Sequence, residues 1–302
     1  MMTTRTKATT GSAIATVLRA CLLSGFVVSV LVAGSVQAQE RSVFDPRTWF
    51  SSSEEDDAQE EAGLDSAAFD GVMLRQAINL ASSQRMLGQR MVGAYCLAGV
   101  SELEWPGQVY DESIEVFESQ VDTLKDMSLD DSARAQLARV ETVWYRLKGL
   151  AGRDHDIESA SAMVEMSYEL MDETEFLVAM LVEELDEEVG EWISVAGRQR
   201  MLGQRIASLT VCEAFGVDGL RVGLNVSRGL TELKGGQDQL HDGDFTPRET
   251  RRAVNEASNY LAELEYLLGQ DEIEPMNVFE TTDYYLRSMN RVAGMIAESR
   301  ES

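Results

Sequence analysis

Apolar residues recur along the chain at helical spacing. Leu177, Leu181, Leu185, Val189 and Ile193 stand four apart, and Glu183, Glu184, Asp186, Glu187, Glu188 and Glu191 fill positions between them. A stripe at that interval with charge on the remaining faces is the signature of an amphipathic helix. No strand-like alternation of any length interrupts it. Pro106, Pro247 and Pro275 all fall between periodic segments, where a helical protein tolerates them. Helices are predicted over 69–99, 109–127, 131–151, 157–182, 183–215, 218–240, 247–269 and 276–299. No proline or turn cluster separates 157 from 215. The fourth and fifth helices are therefore expected to run on as one, about 88 Å long at 1.5 Å per residue, with Gly190 as the place for a bend.

The chain contains a repeat. Gln84-Arg85-Met86-Leu87-Gly88-Gln89-Arg90 returns unchanged as Gln199-Arg200-Met201-Leu202-Gly203-Gln204-Arg205, 115 residues later. The same offset pairs Ile78 with Ile193 and Ala81 with Ala196 upstream. Downstream it pairs Val164 with Phe279 and Ala179-Met180-Leu181 with Gly294-Met295-Ile296. A constant register over this length indicates tandem duplication. Two units of four helices follow, 68–182 and 183–300. The expected fold is all-α, with tandem antiparallel four-helix bundles sharing one long helix.

The first 67 residues follow a different pattern. Arg5 and Lys7 precede the apolar run Cys21 to Gly34, and Val36-Gln37-Ala38 offers small residues for cleavage. This is the layout of a secretory signal peptide over 1–38. An uncleaved anchor helix is the alternative, but the run falls short of the ~20 residues that span a bilayer. No second such segment follows, so a soluble, exported, periplasmic chain is expected. Residues 39–67 are acidic and poor in apolar residues, as a disordered linker would be.

Charge and composition narrow the function. Fifty-two acidic against 26 basic residues give a net charge of −26, which excludes a default nucleic-acid binder. Two histidines and three cysteines leave little for a zinc site, and His155 and His241 fall in interhelix loops without calcium-loop spacing, so no metal is expected. With no nucleophile motif, Gly-rich phosphate loop or His-based triad, neither an enzyme nor a cofactor is expected.

The repeated heptapeptide is the one candidate site. At 100° per residue, Ile78, Ala81, Ser82, Arg85, Gln89, Val92 and Cys96 share a stripe, while Leu80, Leu87, Met91 and Ala94 lie opposite. A helix apolar on two faces is covered on both. Arg85 and Gln89, and in the second unit Arg200 and Gln204, thus project from an interior face. A buried guanidinium requires a carboxylate or a bound anion. Small neighbours, Ser82 in one unit and Gly197 in the other, admit a small oxyanion or a closely packed helix. Arg90 and Arg205, about 140° further round, are expected at the surface or in salt bridges. Cys96 and Cys212 stand at nearly matching heights on the two repeat helices. They form either a disulfide or a pair of small buried apolar residues.

The segment Ile78-Asn79-Leu80-Ala81-Ser82-Ser83-Gln84-Arg85-Met86-Leu87-Gly88-Gln89-Arg90-Met91 resembles the signature helix of the PilJ-type family, the N-terminal sensory domain of type IV pili methyl-accepting chemotaxis transducers. It is also similar to the P-box of NarX-like nitrate/nitrite sensor kinases, Asn-x-Ala-Gly-x-x-Arg-Met with a second Arg five residues after the first. Unit two keeps the Ala196-Gly197 step that unit one replaces with Ala81-Ser82, and unit one keeps Asn79 where unit two has Ser194. The likeness covers about 20 residues per unit. It implies a periplasmic sensory bundle in which Arg85 and Arg200, equivalent to arginines that grip one anion across a dimer interface, hold nitrate or nitrite within one chain. No second membrane helix and no signalling module of a transducer are expected within these residues, so a membrane-bound sensor or transducer is the expected partner. The alternative is a structural or adaptor bundle of the cell envelope, in which the arginines serve packing or docking.

Overall fold

The computed structural model describes residues 66–151, 155–185, 188–243 and 248–299. The expected signal peptide, and the linker except for its last two residues, lie outside them. The described residues belong to one compact unit, and among them the fold is all-α. Its helices are α1 (Ser66–Val100), α2 (Trp105–Asp126), α3 (Asp131–Ala151), α4 (Ile157–Leu185), α5 (Glu188–Phe215), α6 (Gly219–Asp242), α7 (Arg248–Leu268) and α8 (Pro275–Glu298).

Local chemistry accounts for the helix ends. Pro106 and Pro275 occupy the first turns of α2 and α8, where a missing N–H costs nothing. Asp130 and Asp156 cap α3 and α4, accepting from the Ala133 and Ser159 amides at 2.6 and 2.7 Å. Gly216, at φ +111°, closes α5 with the Val217 amide donating to the Cys212 carbonyl and its own amide to Glu213. These paired bonds form a Schellman stop, which needs the left-handed conformation glycine adopts freely.

Within each unit the helices run up and down. In the first, α1 packs against α2 and α4, and α3 lies against α4, with Phe117 of α2 stacked on Trp144 of α3 at 3.7 Å. In the second, α5 packs against α6 and α8, and α7 lies against α8. The two units meet along α1 and α5. The contacts place Ser82 against Gly197, Gly93 against Ser208 and Cys96 against Cys212. These pairs match the repeat offset almost residue for residue, so α1 and α5 are parallel and in register about a pseudo-two-fold axis. From Ala81 to Leu97 every residue of α1 is buried. Neighbours from both units enclose it.

The continuous helix expected from 157 to 215 is not formed. Arg198 lies 3.8 Å from Glu175, and the Arg205 guanidinium sits 4.9 Å over the Tyr168 ring. A straight helix would hold the partners in each pair tens of ångströms apart. Instead α4, ending at Leu185, and α5, starting at Glu188, lie antiparallel to each other. The reversal lets α5 lie parallel to α1 and bury its second apolar face there. That burial outweighs the local tendency to continue the helix.

Candidate functional site

The α1–α5 seam is built from small residues. A Cβ on Gly197 would stand 2.4 Å from the Ser82 Cβ, 2.8 Å from its Oγ and 3.1 Å from Arg85 Nη2. Glycine at this position allows the two backbones to approach until each repeat arginine reaches the other helix. Cys96 and Cys212 form a disulfide about four turns further along.

Arg85 and Arg200 are each 1% exposed. Arg85 donates through Nη1 to Glu175 of α4, whose side chain is 45% exposed and also faces Arg198. Its Nε and Nη2 are buried without a partner. Burial lowers the Arg85 pKa, Glu175 opposes that shift, and Arg198 adds to it. Arg200 differs. It donates through Nη1 to Asn290 Oδ1 of α8 at 3.2 Å, and through Nη2 to the Asn79 carbonyl and Oδ1 at 3.3 and 2.9 Å. Among the described residues no carboxylate reaches it. Burial, and then the positive charge of Arg85, push Arg200 down to about 9, so at neutral pH it remains a cation, but one less stable than a guanidinium in water.

The other candidate residues line the same seam. Gln89 and Gln204 take equivalent roles, donating at 3.4 Å to the carbonyls of Ser167 and Thr282, one repeat offset apart. Gln89 Oε1 accepts from Ser208 Oγ at 3.4 Å, tying α1 to α5. Gln204 also donates to Asp283 at 3.3 Å, and its Oε1 has no partner. Ser82 is fully buried, with its Oγ unpartnered beside Gly197 and Arg85. The structure therefore gathers Arg85, Arg200, Ser82 and Gly197 at one level of the seam and sets Gln89 and Gln204 against the outer helices. The unpartnered atoms of Arg85, Arg200, Ser82 and Asn290 are all able to donate.

Arg90 forms one of the expected salt bridges, bidentately with Asp283 of the other unit, but both partners are buried, Asp283 at 2% exposure, which the position of Arg90 on the helix does not predict. Glu175 and Asn290, the two guanidinium partners, were not singled out. They stand 115 residues apart, so the repeat offset aligns them, a carboxylate in one unit and an amide in the other. The offset that links the two motif helices would have found both. His155 is exposed and stacks on Tyr95 at 4.6 Å, away from the arginines.

No family model, no curated protein and no solved structure matches the chain.

Proposed function

We propose that this protein is an exported periplasmic sensory or ligand-binding bundle that holds one small, singly charged oxyanion, of the size of nitrate or nitrite, between Arg85 and Arg200. On this reading it signals through a membrane-bound partner. The observation that carries the proposal is Arg200, a fully buried guanidinium with amide partners and, among the described residues, no carboxylate, beside a second guanidinium. An uncompensated charge in a protein interior costs several kcal/mol, and an anion on the open donors removes that cost. Two cations and one carboxylate, Glu175, leave room for a single negative charge. The likeness of both motif helices to PilJ-type and NarX-like sensory segments supports the same ligand class. The N-terminal signal layout and the Cys96–Cys212 disulfide, a bond that persists in oxidising compartments, support export.

The test is a thermal-shift titration in a buffer whose only anion is bulky. Sodium nitrate should raise the melting temperature saturably, following RT ln(1 + [L]/Kd), and R200A should abolish the rise. A rise that survives R200A places the anion elsewhere and overturns the proposal. A second reading, an adaptor or structural bundle of the envelope, is favoured by the Arg85–Glu175 and Arg90–Asp283 pairs, which lock helices together without any ligand. It predicts no saturable response to any small anion.

A further inference from the structure

The two units follow one plan, and they differ most sharply where the seam approaches the surface. A cleft of about 390 Å³ opens between α7 and α8, lined by Glu256, Tyr260, Tyr284, Arg287, Asn290 and Arg291 among others. Tyr260 and Tyr284 stack at 5.5 Å, and the Arg287 guanidinium lies 5.6 Å over the Tyr284 ring. Arg291 at the rim pairs with Glu256. Asn290 is only 8% exposed, yet it lines this cleft while its Oδ1 accepts from Arg200, and its Nδ2 is buried without a partner. One side chain therefore separates the solvent-facing cleft from the buried cation.

The equivalent face of the first unit carries the opposite charge. At the repeat offset Tyr284, Arg287, Ser288 and Asn290 correspond to Glu169, Asp172, Glu173 and Glu175, and Arg291 to Phe176. Three of those acids are engaged in closing that side. Glu169 pairs with Arg146 at 2.7 Å, Glu173 accepts from Gln136 at 2.6 Å, and Glu175 covers Arg85. An anion approaching α4 meets four carboxylates. One approaching α8 meets Arg287 and the Arg291–Glu256 pair at the mouth, with the Asn290 amide just beneath the floor.

We infer that the α7–α8 cleft is the port of the anion site. A singly charged oxyanion enters past Arg287 and Arg291, takes up the free Asn290 Nδ2 donor and passes to Arg200, while the acidic face of α4 closes the other half. This rests on the anion-binding reading above. In a protein with a net charge of −26, a local cationic mouth is what draws an anion in, because the long-range field is screened within about 8–10 Å.

The experiment is a nitrate titration of the full chain by thermal shift at low ionic strength, comparing wild type, R287E/R291E, and D172N/E169Q on the opposite face. Reversing the mouth raises the half-saturating nitrate concentration about tenfold, and sodium gluconate added to high ionic strength narrows the gap. The α4 variant stays within about twofold of wild type. If R287E/R291E does not fold, R287Q/R291Q replaces it, with an expected rise of about threefold. A wild type that responds to nitrate with a mouth variant that responds identically overturns the port and leaves the site standing. An α4 variant that shifts as much as the mouth variant also overturns the port. A wild type with no response overturns the site and the port together.

Discussion

Arg90 and Arg200 are both sealed in the core, but only Arg90 meets a carboxylate there. The two should therefore respond oppositely to truncation. R90A leaves Asp283 buried without its paired guanidinium, with only Gln204 still donating to it, and should cost about 3–5 kcal/mol in urea unfolding. R200M removes a cation that no carboxylate among the described residues meets, and replaces it with an apolar chain of similar reach. In anion-free buffer it should be neutral or stabilising by about 1–3 kcal/mol. A loss from R200M comparable to that from R90A would mean that Asn79 and Asn290 already satisfy the guanidinium. The amide at 290 offers a converse test. N290E gives Arg200 the carboxylate that Arg85 already has in Glu175. It should raise the melting temperature without nitrate and abolish the response to nitrate. A variant that keeps the nitrate response would show that the anion does not depend on this gap in charge.

At the scale of elements, the parallel α1–α5 seam depends on how closely the two backbones approach. G197A would put a Cβ 2.4 Å from the Ser82 Cβ, and the helices must part to admit it. The expected cost is about 1–3 kcal/mol, read as a lower melting temperature. G235A, where an added Cβ meets nothing within 4 Å, should not lower it, since alanine is the better helix former. Most of the elements were legible in the sequence. Leucines four apart, prolines at the joints and the constant offset of 115 locate each helix to within a few residues. The reversal between α4 and α5 was not legible, because no proline or turn cluster marks it. It is imposed from a distance by the fit of α5 along α1 and by contacts such as Arg198–Glu175 and Arg205–Tyr168. The site was legible in half. The motif repeats residue for residue, so Arg85, Arg200, Gln89 and Gln204 stand out. Their partners on α4 and α8 share only a position, and Glu175 and Asn290 look like ordinary surface polar residues until the seam is assembled. The burial of Arg90 was hidden for the same reason, since its partner Asp283 belongs to the other unit.

At the scale of the whole molecule, two units are bound along one seam and across it, by the Cys96–Cys212 disulfide and by cross-unit contacts such as Arg90–Asp283. If a protease site is inserted between Leu185 and Glu188 and cut, the halves should co-elute from gel filtration with or without reductant. They should separate on a denaturing gel only after reduction. Halves that part on reduction alone would show that the seam is too weak to position two guanidiniums. The pseudo-two-fold axis has one further consequence. A true two-fold between identical subunits places every residue twice, so a site on such an axis carries charges in even numbers, two glutamates or none. Covalent fusion removes that constraint. Because both half-sites lie on one chain, one can keep Glu175 while the other holds Asn290. The site then has an odd charge of plus one and a single open side. Two identical subunits could offer an anion only approaches that come in equivalent pairs or run along the axis, whereas on the reading proposed above this chain distinguishes an entrance on one side from a wall on the other.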